Sequence, residues 1–260
     1  MTFSNKINQT RAQLKGYFRK GKIPTETQYA ALIDSVVNKV DDGFLKDEEF
    51  GFHIQSTGKS KTFASLFPDN NAIDPFFVIS KDQAKPKNLK LQPYVKGDDN
   101  ENFSFYFGAN GNLGLGKPAA DKIKLEVAGF VGMQGRAGTF RAGKFPADGQ
   151  WHTIVKDLNN CHAYEVMARA GAKGKGKFAL MQATALGVYG KRGSKIKKTR
   201  TCYGFCWNHL NLRWIGTTHN YALQIRTNSN YGHHAQIFFK VSQLWNDHEF
   251  LDEGYFHKND

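Results

Sequence analysis

The stretch CHAYEVMARAGAKGKGKFALMQATALGVY, which runs from Cys161 to Tyr189, decides the predicted fold. It contains two short runs that mix apolar and polar side chains, Cys161 to Arg169 and Phe178 to Tyr189. A loop with glycines from Gly171 to Gly176 separates them. Short runs bounded by glycine are typical of β strands. The stretch therefore predicts two strands joined by a glycine-rich turn.

Five further runs show the same character, and turn residues separate most of them. They are Trp151 to Ile154, Lys195 to Tyr203, Asn211 to Ile215, Tyr221 to Thr227 and Gln236 to Trp245. No helix of ordinary length fits into this part of the sequence. Seven short strands at this spacing predict an antiparallel β sandwich, jelly-roll-like in outline, over residues 149–260.

The composition supports a mainly β protein and indicates the charge of its partner. Aromatic residues make up 13% of the chain and glycines number 26, which is typical of a globular protein with many strands and tight turns. The formal net charge of +13 favours an anionic partner, such as nucleic acid, an acidic glycan, teichoic acid, lipopolysaccharide or an acidic protein surface. Charge alone does not choose among these partners.

The opening residues MTFSNKINQT lack the apolar core of a signal peptide, and no window of the sequence offers eighteen apolar residues. We therefore expect a chain that is made in the cytoplasm without a signal peptide and is not inserted into a membrane. Any exit from the cell would need another machine.

Residues 1–43 predict a short helical segment. A loose helical spacing covers residues 6–20, and a second helix start follows at Pro24. The apolar residues after it fall at i, i+3, i+4 and i+7 and form one stripe. A short helix cannot bury such a stripe alone, so we expect it to pack within the segment, on the rest of the protein or on other copies. The predicted assembly residues are Tyr17, Phe18, Tyr29, Leu32, Ile33 and Val36.

The middle of the chain gives weaker signals. In residues 44–110 we predict strands at Phe76 to Ile79 and at Asn102 to Phe107, and the charged, proline-containing segment between them resembles exposed turns or a sheet edge. The rest of this region stays unassigned. Residues 111–148 predict a glycine-rich β linker, in which a half-buried strand passes through Leu125.

The N-terminal segment has a recognisable motif. LKGYFRKGKIPTETQYAALIDSVVNKVDDGF, from Leu14 to Phe44, resembles the N-terminal segment of tail-fibre-like and adhesin-like proteins that many Bacteroidota encode beside phage tails and contractile injection systems. The pattern is carried by Leu14, Lys15, Tyr17, Phe18, Pro24, Thr25, Gln28, Tyr29, Leu32, Ile33, Asp34, Ser35, Asn38, Lys39, Asp41 and Asp42.

Two further segments carry the same resemblance. GNLGLGKPAADKIKLEVAG, from Gly111 to Gly129, is similar to segments of trimeric phage fibres, although Gly116-Lys117-Pro118 replaces the commoner Gly-Thr. The predicted sandwich is similar to the C-terminal domain that follows such segments. The resemblance implies a homotrimeric fibre or adhesin, whose N-terminal part assembles or docks on a baseplate or tail protein and whose C-terminal domain contacts a target.

Two basic stretches could bind an anion. Gly171 to Lys177 and Lys191 to Arg200 are rich in lysine and arginine. The predicted anion-binding residues in the second stretch are Lys195, Lys197 and Arg200, although on a strand Arg200 would point away from the other two. The expected ligand is surface polysaccharide or lipopolysaccharide phosphate. The alternative is that the stretches are solvated loops that keep a β protein soluble.

A loop of mixed polar and aromatic residues is the best single candidate for contact with a glycan. Aromatic rings can stack on the apolar face of a sugar, and amides supply donors and acceptors nearby. The predicted contact residues are Trp207, Asn228, Asn230, Tyr231, His233 and His234. We assign the tryptophans at predicted strand positions, Trp151, Trp214 and Trp245, to packing.

Sites for catalysis or metal binding find less support. Cys202, Cys206 and His209 could hold zinc, with Cys161 and His162 completing the set, but buried free thiols or a disulfide fit the same spacing. Cys161 and His162 would point to opposite faces of a strand, which argues against a nucleophile and its base. Glycoside hydrolysis needs paired carboxylates, and acidic residues are scarce in the predicted sandwich. Glu165 is the one acid in the middle of an apolar stretch, and it could face solvent or pair with Arg213 or Arg226. We predict no enzyme, no cofactor and no metal.

The preferred hypothesis is therefore a tail-fibre-like adhesin that binds a cell-surface ligand and works outside the cell on a phage-tail-like particle. A cargo protein, effector or structural component of a contractile injection system is the alternative. Nucleic acid is not the expected partner, because the sequence lacks the patterns of the common nucleic-acid-binding motifs.

Overall fold

The computed structural model describes residues 9–38, 41–56, 60–69, 71–85, 87–97, 103–252 and 255. The chain divides into two compact units, Met1–Val131 and Gly132–Asp260. Strands dominate both units, which confirms the prediction of a mainly β protein with a short N-terminal helical segment. Within the described residues, no helix is long and apolar enough to cross a membrane.

The first unit begins with two short helices, α1 (Arg11–Tyr17) and α2 (Glu26–Asp34). A capping box starts each of them. The amide of Thr10 donates to Oε1 of Gln13 at 2.8 Å, and the amide of Thr25 donates to Oε1 of Gln28 at 3.1 Å. Each threonine thus sets the first turn of its helix.

The predicted apolar stripe is shorter in the structure than in the sequence pattern. Helix α2 ends at Asp34, so Val36 lies beyond it. The hydroxyl of Ser35 donates to the carbonyl O of Ala31 at 2.6 Å, a local bond that competes with helix continuation. No residue of the two helices is buried, and Ile33 exposes 64% of its surface. The stripe therefore has little cover from its own chain.

Two sheets complete the first unit. A two-stranded sheet contains β1 (Phe44–Asp47) and β2 (Gly51–Ile54). A six-stranded sheet contains, in spatial order, β3 (Thr62–Leu66), β4 (Phe77–Lys81), β5 (Leu89–Pro93), β6 (Phe105–Phe107), β7 (Leu113–Leu115) and β8 (Leu125–Val127). Its neighbouring strands are antiparallel except β7 and β8, which are parallel. The strands predicted around Phe76 and Phe105 are β4 and β6, although Asn102 lies outside the described residues.

Strand β5 corrects the prediction of exposed turns or an edge between β4 and β6. It lies inside the six-stranded sheet, because it pairs with β4 on one side and with β6 on the other. Leu89 and Leu91 occupy one face of the sheet, while Lys90 occupies the other. Lys90 is 4% exposed, and its ammonium lies 5.7 Å from the ring centroid of Tyr106. A lysine whose stem packs on a ring can occupy a covered strand position. The alternation was hidden by the charges and prolines around it.

The second unit is a β sandwich of two antiparallel sheets. The five-stranded sheet has the order β13 (Lys195–Tyr203), β12 (Phe178–Val188), β11 (Cys161–Gly171), β16 (Gln236–Asn246) and β9 (Arg141–Pro146). The three-stranded sheet has the order β10 (His152–Leu158), β15 (Tyr221–Thr227) and β14 (Leu210–Gly216). A short helix, α3 (Asp247–Phe250), follows β16.

The boundaries of the predicted linker, residues 111–148, are corrected by the strand pairing. Strands β7 and β8 belong to the six-stranded sheet of the first unit. Strand β9 belongs to the sandwich, where it pairs with β16. Its sequence, RAGKFP, carries few apolar residues, so it gave no signal of a strand that pairs at a sheet edge.

The core of the sandwich lies between the inner faces of its two sheets. Along β12 the inner side chains are mostly small, with Ala183, Ala185 and Gly187 on the buried face. The opposite sheet contributes the large rings of Trp214 and Tyr221, which lie 5.4 Å apart between centroids. Small residues on one sheet thus leave room for large rings from the other, which keeps the sheets at packing distance.

A substitution at Gly187 tests the packing of small residues against these rings. A Cβ at this position would lie 2.9 Å from Cε2 of Tyr221 and 3.1 Å from Cη2 of Trp214. We expect Gly187→Val to lower the free energy of unfolding by about 1–3 kcal/mol, because both rings would have to move. Urea denaturation measures the change. Gly193→Ala is the control, since the nearest atom to its Cβ lies at 3.5 Å. Equal stabilities of the two variants would contradict the packing argument.

Candidate ligand-binding surface

Three loops of the sandwich lie together and form the surface that we call the loop end. They are residues 172–177, 204–209 and 228–235. The ammonium of Lys177 donates to the carbonyl O of Asn230 at 3.2 Å. The amide N–H of Asn228 donates to the carbonyl O of His209 at 2.9 Å. The loops are therefore tied to one another as well as to their strands.

A close backbone approach fixes two of these loops. Gly204 has a φ of +93°, and a Cβ there would lie 2.7 Å from the carbonyl O of Gly176 and 2.9 Å from Nδ2 of Asn208. Only glycine fits such a position without strain. Asn208 is 1% exposed, and its Oδ1 accepts a 3.1 Å hydrogen bond from Ser229. The loop end is thus built around a buried amide and a backbone contact.

Large aromatic side chains are exposed at the loop end. Tyr203, Phe205 and Trp207 expose 68, 66 and 57% of their surfaces. The rings of Phe205 and Trp207 stack at 5.9 Å with an angle of 11° between their planes. Clusters of exposed apolar rings are typical of contact surfaces. Flat rings of this kind can stack on the apolar face of a sugar.

A shallow cavity of about 330 Å³ adjoins these rings. Its lining includes Arg169, Phe178, Leu180 and Tyr203. The guanidinium carbon of Arg169 lies 5.5 Å from the ring centroid of Phe178, whose ring lies 6.4 Å from that of Tyr203. Among the described residues, no carboxylate forms an ion pair with Arg169. An open cation framed by rings can bind an acidic group while the rings hold an apolar surface.

The structure brings most of the predicted glycan contacts to the loop end. The residues with exposed side chains there are Trp207, Asn228, Asn230, His233 and His234. Arg169 and Phe178 were not predicted, because on the sequence they are ordinary strand residues. Their signal is the register of β11 and β12, which places Arg169 opposite Leu180 and next to the turn.

The structure corrects the placement of Tyr231. Its side chain is 2% exposed and belongs to the core of the sandwich, so it cannot contact a ligand. Burial, and after it the nearby Cys202 thiol, raises the pKa of Tyr231 to about 12. Its hydroxyl is buried and has no hydrogen-bond partner among the residues that the structure describes. The polar neighbours in the sequence concealed a ring that turns inward.

The orphaned hydroxyl leads to a prediction. We expect Tyr231→Phe to raise the free energy of unfolding by about 1 kcal/mol, because an unsatisfied buried hydroxyl is removed while the ring stays. Tyr221→Phe is the matched control and should lower it, since the buried Tyr221 hydroxyl donates to the carbonyl O of Asn160 at 2.7 Å. Thermal unfolding followed by calorimetry compares the two variants. A loss of stability in Tyr231→Phe would show that its hydroxyl has a partner.

The three predicted cations of β13 do not form one site. Lys195 and Lys197 lie on the outer face of the sheet, and Lys195 begins β13 at the end away from the loop end. Arg200 points to the other face, where its Nη1 donates to Oδ1 of Asn211 at 2.7 Å. Lys198 donates to the same oxygen at 3.0 Å. Arg200 and Lys198 thus converge on Asn211, apart from the two outer lysines.

A second group of cations surrounds Trp151, one of the three tryptophans that the sequence analysis assigned to packing. Trp151 is half-buried, and the guanidinium carbons of Arg213 and Arg226 lie 4.2 and 4.5 Å from its ring centroid. Trp214, 4% exposed, is a core residue as predicted. Trp245 is 39% exposed and stacks on a phenylalanine of α3. Two of the three predicted packing tryptophans therefore lie near the surface.

The acidic candidate for hydrolysis has a local structural role. Glu165 accepts hydrogen bonds from Arg136 at 2.5 Å and from Nε2 of Gln182 at 3.0 Å. Of the two alternatives for Glu165, pairing with Arg213 or Arg226 does not occur, because those two arginines lie on the other sheet. Glu165 is thus held by two neighbouring side chains.

The three cysteines differ in their surroundings. Burial, and after it the neighbouring Asp247, raises the pKa of the Cys161 thiol. The thiol of Cys202 contacts the carbonyl O of Phe205 and that of Cys206 at 3.7 Å each. All three cysteines are free. In the part of the chain that the structure describes, no group of three histidine, cysteine or acidic side chains could hold a metal ion.

Comparisons with known proteins add nothing to this geometry. No protein-family model matches the chain, and no curated protein is similar to it.

The burial of His162 makes the stability of the sandwich depend on pH. Burial lowers its pKa below the ordinary value of 6.5, against the opposing effects of the Asn159 carbonyl and Asp247. The unfolded chain therefore binds the proton more readily than the folded chain. Stability should be complete above the ordinary pKa and should fall as the pH drops through 6.5.

We expect His162→Gln to reduce the loss of unfolding free energy between pH 7 and pH 5. Urea denaturation at several pH values measures this slope. His233→Gln, an exposed histidine of the loop end, is the control and should leave the slope unchanged. If both variants keep the slope of the parent chain, His162 does not control it.

Proposed function

We propose that this protein is a tail-fibre-like adhesin, a homotrimer that binds an anionic or glycan ligand on a cell surface through its C-terminal sandwich. The single observation that carries the proposal is the cavity lined by the exposed Arg169, by Phe178 beside it and by Tyr203 beyond Phe178. The combination of one cation and several flat rings matches a polysaccharide that bears acidic groups.

Several features support this use of the loop end. The basic loop with Lys173 and Lys175 leads into Phe178, which lines the cavity. The two lysines give the cavity a positive rim. The amides of Asn228 and Asn230 lie on the neighbouring loop and can bond sugar hydroxyls. The net charge of +13 attracts anionic surfaces from a distance.

The homotrimer and the particle are part of the proposal. Three weak sites on one rigid assembly give strong avidity without any new contact, provided that they reach the same surface. The N-terminal segment would dock on a baseplate or tail protein, so that the sandwich meets the target outside the cell. A shallow, open cavity with a single cation suits this kind of repeated, individually weak binding.

The proposal is tested with lipopolysaccharide and neutral dextran as probes. We expect the full chain to bind immobilised lipopolysaccharide and not dextran, with an affinity that falls as salt is added. Arg169→Gln should weaken binding about tenfold or more, since a hydrogen bond to a charged group contributes roughly 1.5–3 kcal/mol. Surface plasmon resonance measures the change.

Matched variants locate the site. Arg169→Lys keeps the charge but loses the planar fork, and should bind between the parent and Arg169→Gln. Lys195→Gln removes a cation away from the loop end and should bind like the parent. If Lys195→Gln loses binding while Arg169→Gln keeps it, the outer face of β13 is the site. Absence of binding to both probes would favour the cargo interpretation.

A further inference from the structure

In the six-stranded sheet of the first unit, the apolar side chains lie on one face, and many of them are exposed. The strand register places Ile79, Leu91, Phe105, Leu115 and Val127 in one row across five strands. Every paired residue on this face is apolar except Lys81. We call it the apolar face.

The opposite face is polar and is covered by the chain itself. Lys90 and Tyr106 lie on it and are 4 and 2% exposed. A Cβ at Gly114 would meet the backbone of Lys117 and lie 2.9 Å from the amide N of Ala119, so this segment runs directly over the strand. Within the described residues, the chain therefore covers the β7 part of the polar side, where Gly114 lies, and leaves much of the apolar side exposed.

The open side is large. Leu66, Leu89, Phe105, Phe107 and Leu125 expose 43, 38, 38, 46 and 56% of their surfaces. At about 200 Å² for a large side chain, these five alone present on the order of 400 Å². That already equals the largest apolar patch of a typical monomer, roughly 300–600 Å². With its half-buried members the face approaches the roughly 800 Å² that each partner buries in a stable interface.

We infer that the apolar face is the surface through which copies of this chain assemble. A face whose paired strand residues include one charged side chain, Lys81, has little means to select an occasional partner by electrostatics. Permanent interfaces between identical subunits are more apolar than transient ones. A copy of the same chain is present wherever the chain is made, so it can cover the apolar face and remove it from water. The inference deepens the proposed function, on which the number of three copies rests, because it gives the homotrimer a contact surface.

This surface differs from the assembly residues predicted on the N-terminal helices. Those residues form a narrow stripe on two short helices, in which Tyr29 packs against Phe18 at 5.6 Å. The sheet offers a continuous row of side chains on strands that are already paired. Assembly through it needs no further ordering of the backbone, which makes it the cheaper surface in conformational entropy.

The test is the native mass of the full chain by light scattering after gel filtration. We expect the parent chain to be an oligomer and Phe107→Glu combined with Leu125→Glu to have the mass of a single chain. Both side chains are partly exposed in one chain, so the folded unit can accept the charges. Ile73→Glu is the matched control, since Ile73 is 82% exposed outside the strands, and it should keep the oligomer.

Further variants make each outcome decisive. If circular dichroism shows that the double variant Phe107→Glu, Leu125→Glu is unfolded, the double variant Phe107→Thr, Leu125→Thr replaces it, because threonine is favoured in strands. A folded single chain in either pair supports the inference. A monomeric parent, or a folded pair that keeps the oligomer while Tyr29→Glu with Ile33→Glu loses it, overturns it. Failure of the proposed function is seen separately, as an intact oligomer that does not bind lipopolysaccharide.

Discussion

The sandwich depends on how large rings from one sheet meet small residues on the other. Because side chains alternate along β11 and β12, one face of this long hairpin is committed to the core and the other to solvent. The inner face of β12 offers alanines and Gly187, on which Trp214 and Tyr221 rest. A shift of one residue would place Leu186 and Val188 inside and leave no space for these rings.

The same alternation supplies the candidate site. The residues that β11 and β12 cannot use for the core, among them Arg169 and Leu180, are carried outward on rigid strands next to the turn. The neighbouring loops add exposed rings to this surface. Strands hold a cation and its flanking rings more firmly than a loop could, which suits a shallow site that must bind without enclosing its ligand. The candidate site and the core thus lie on opposite faces of one hairpin.

Much of this architecture was accessible from the sequence because strand periodicity and glycine turns are local signals. All seven predicted strands of the sandwich exist, whereas β9 and β5 were missed, since their positions depend on pairing with distant strands. The site was accessible only in part. Loop residues such as Trp207 and Asn228 stand out by composition, but Arg169 gains its role from register, and Tyr231 loses its predicted role through burial. Register and burial are properties of the whole fold.

The position of β16 has a consequence for biosynthesis. Among the described strands of the sandwich this one is synthesised last, yet it lies inside the five-stranded sheet, between β11 and β9. Strand β9 therefore cannot form its sheet pairing until β16 has been synthesised. Contacts of such long sequence separation are slow to form. A chain that stops before Gln236 would leave the facing edges of β11 and β9 unpaired and would lack the core side chains Ile237, Phe239 and Val241. Open strand edges of this kind promote aggregation.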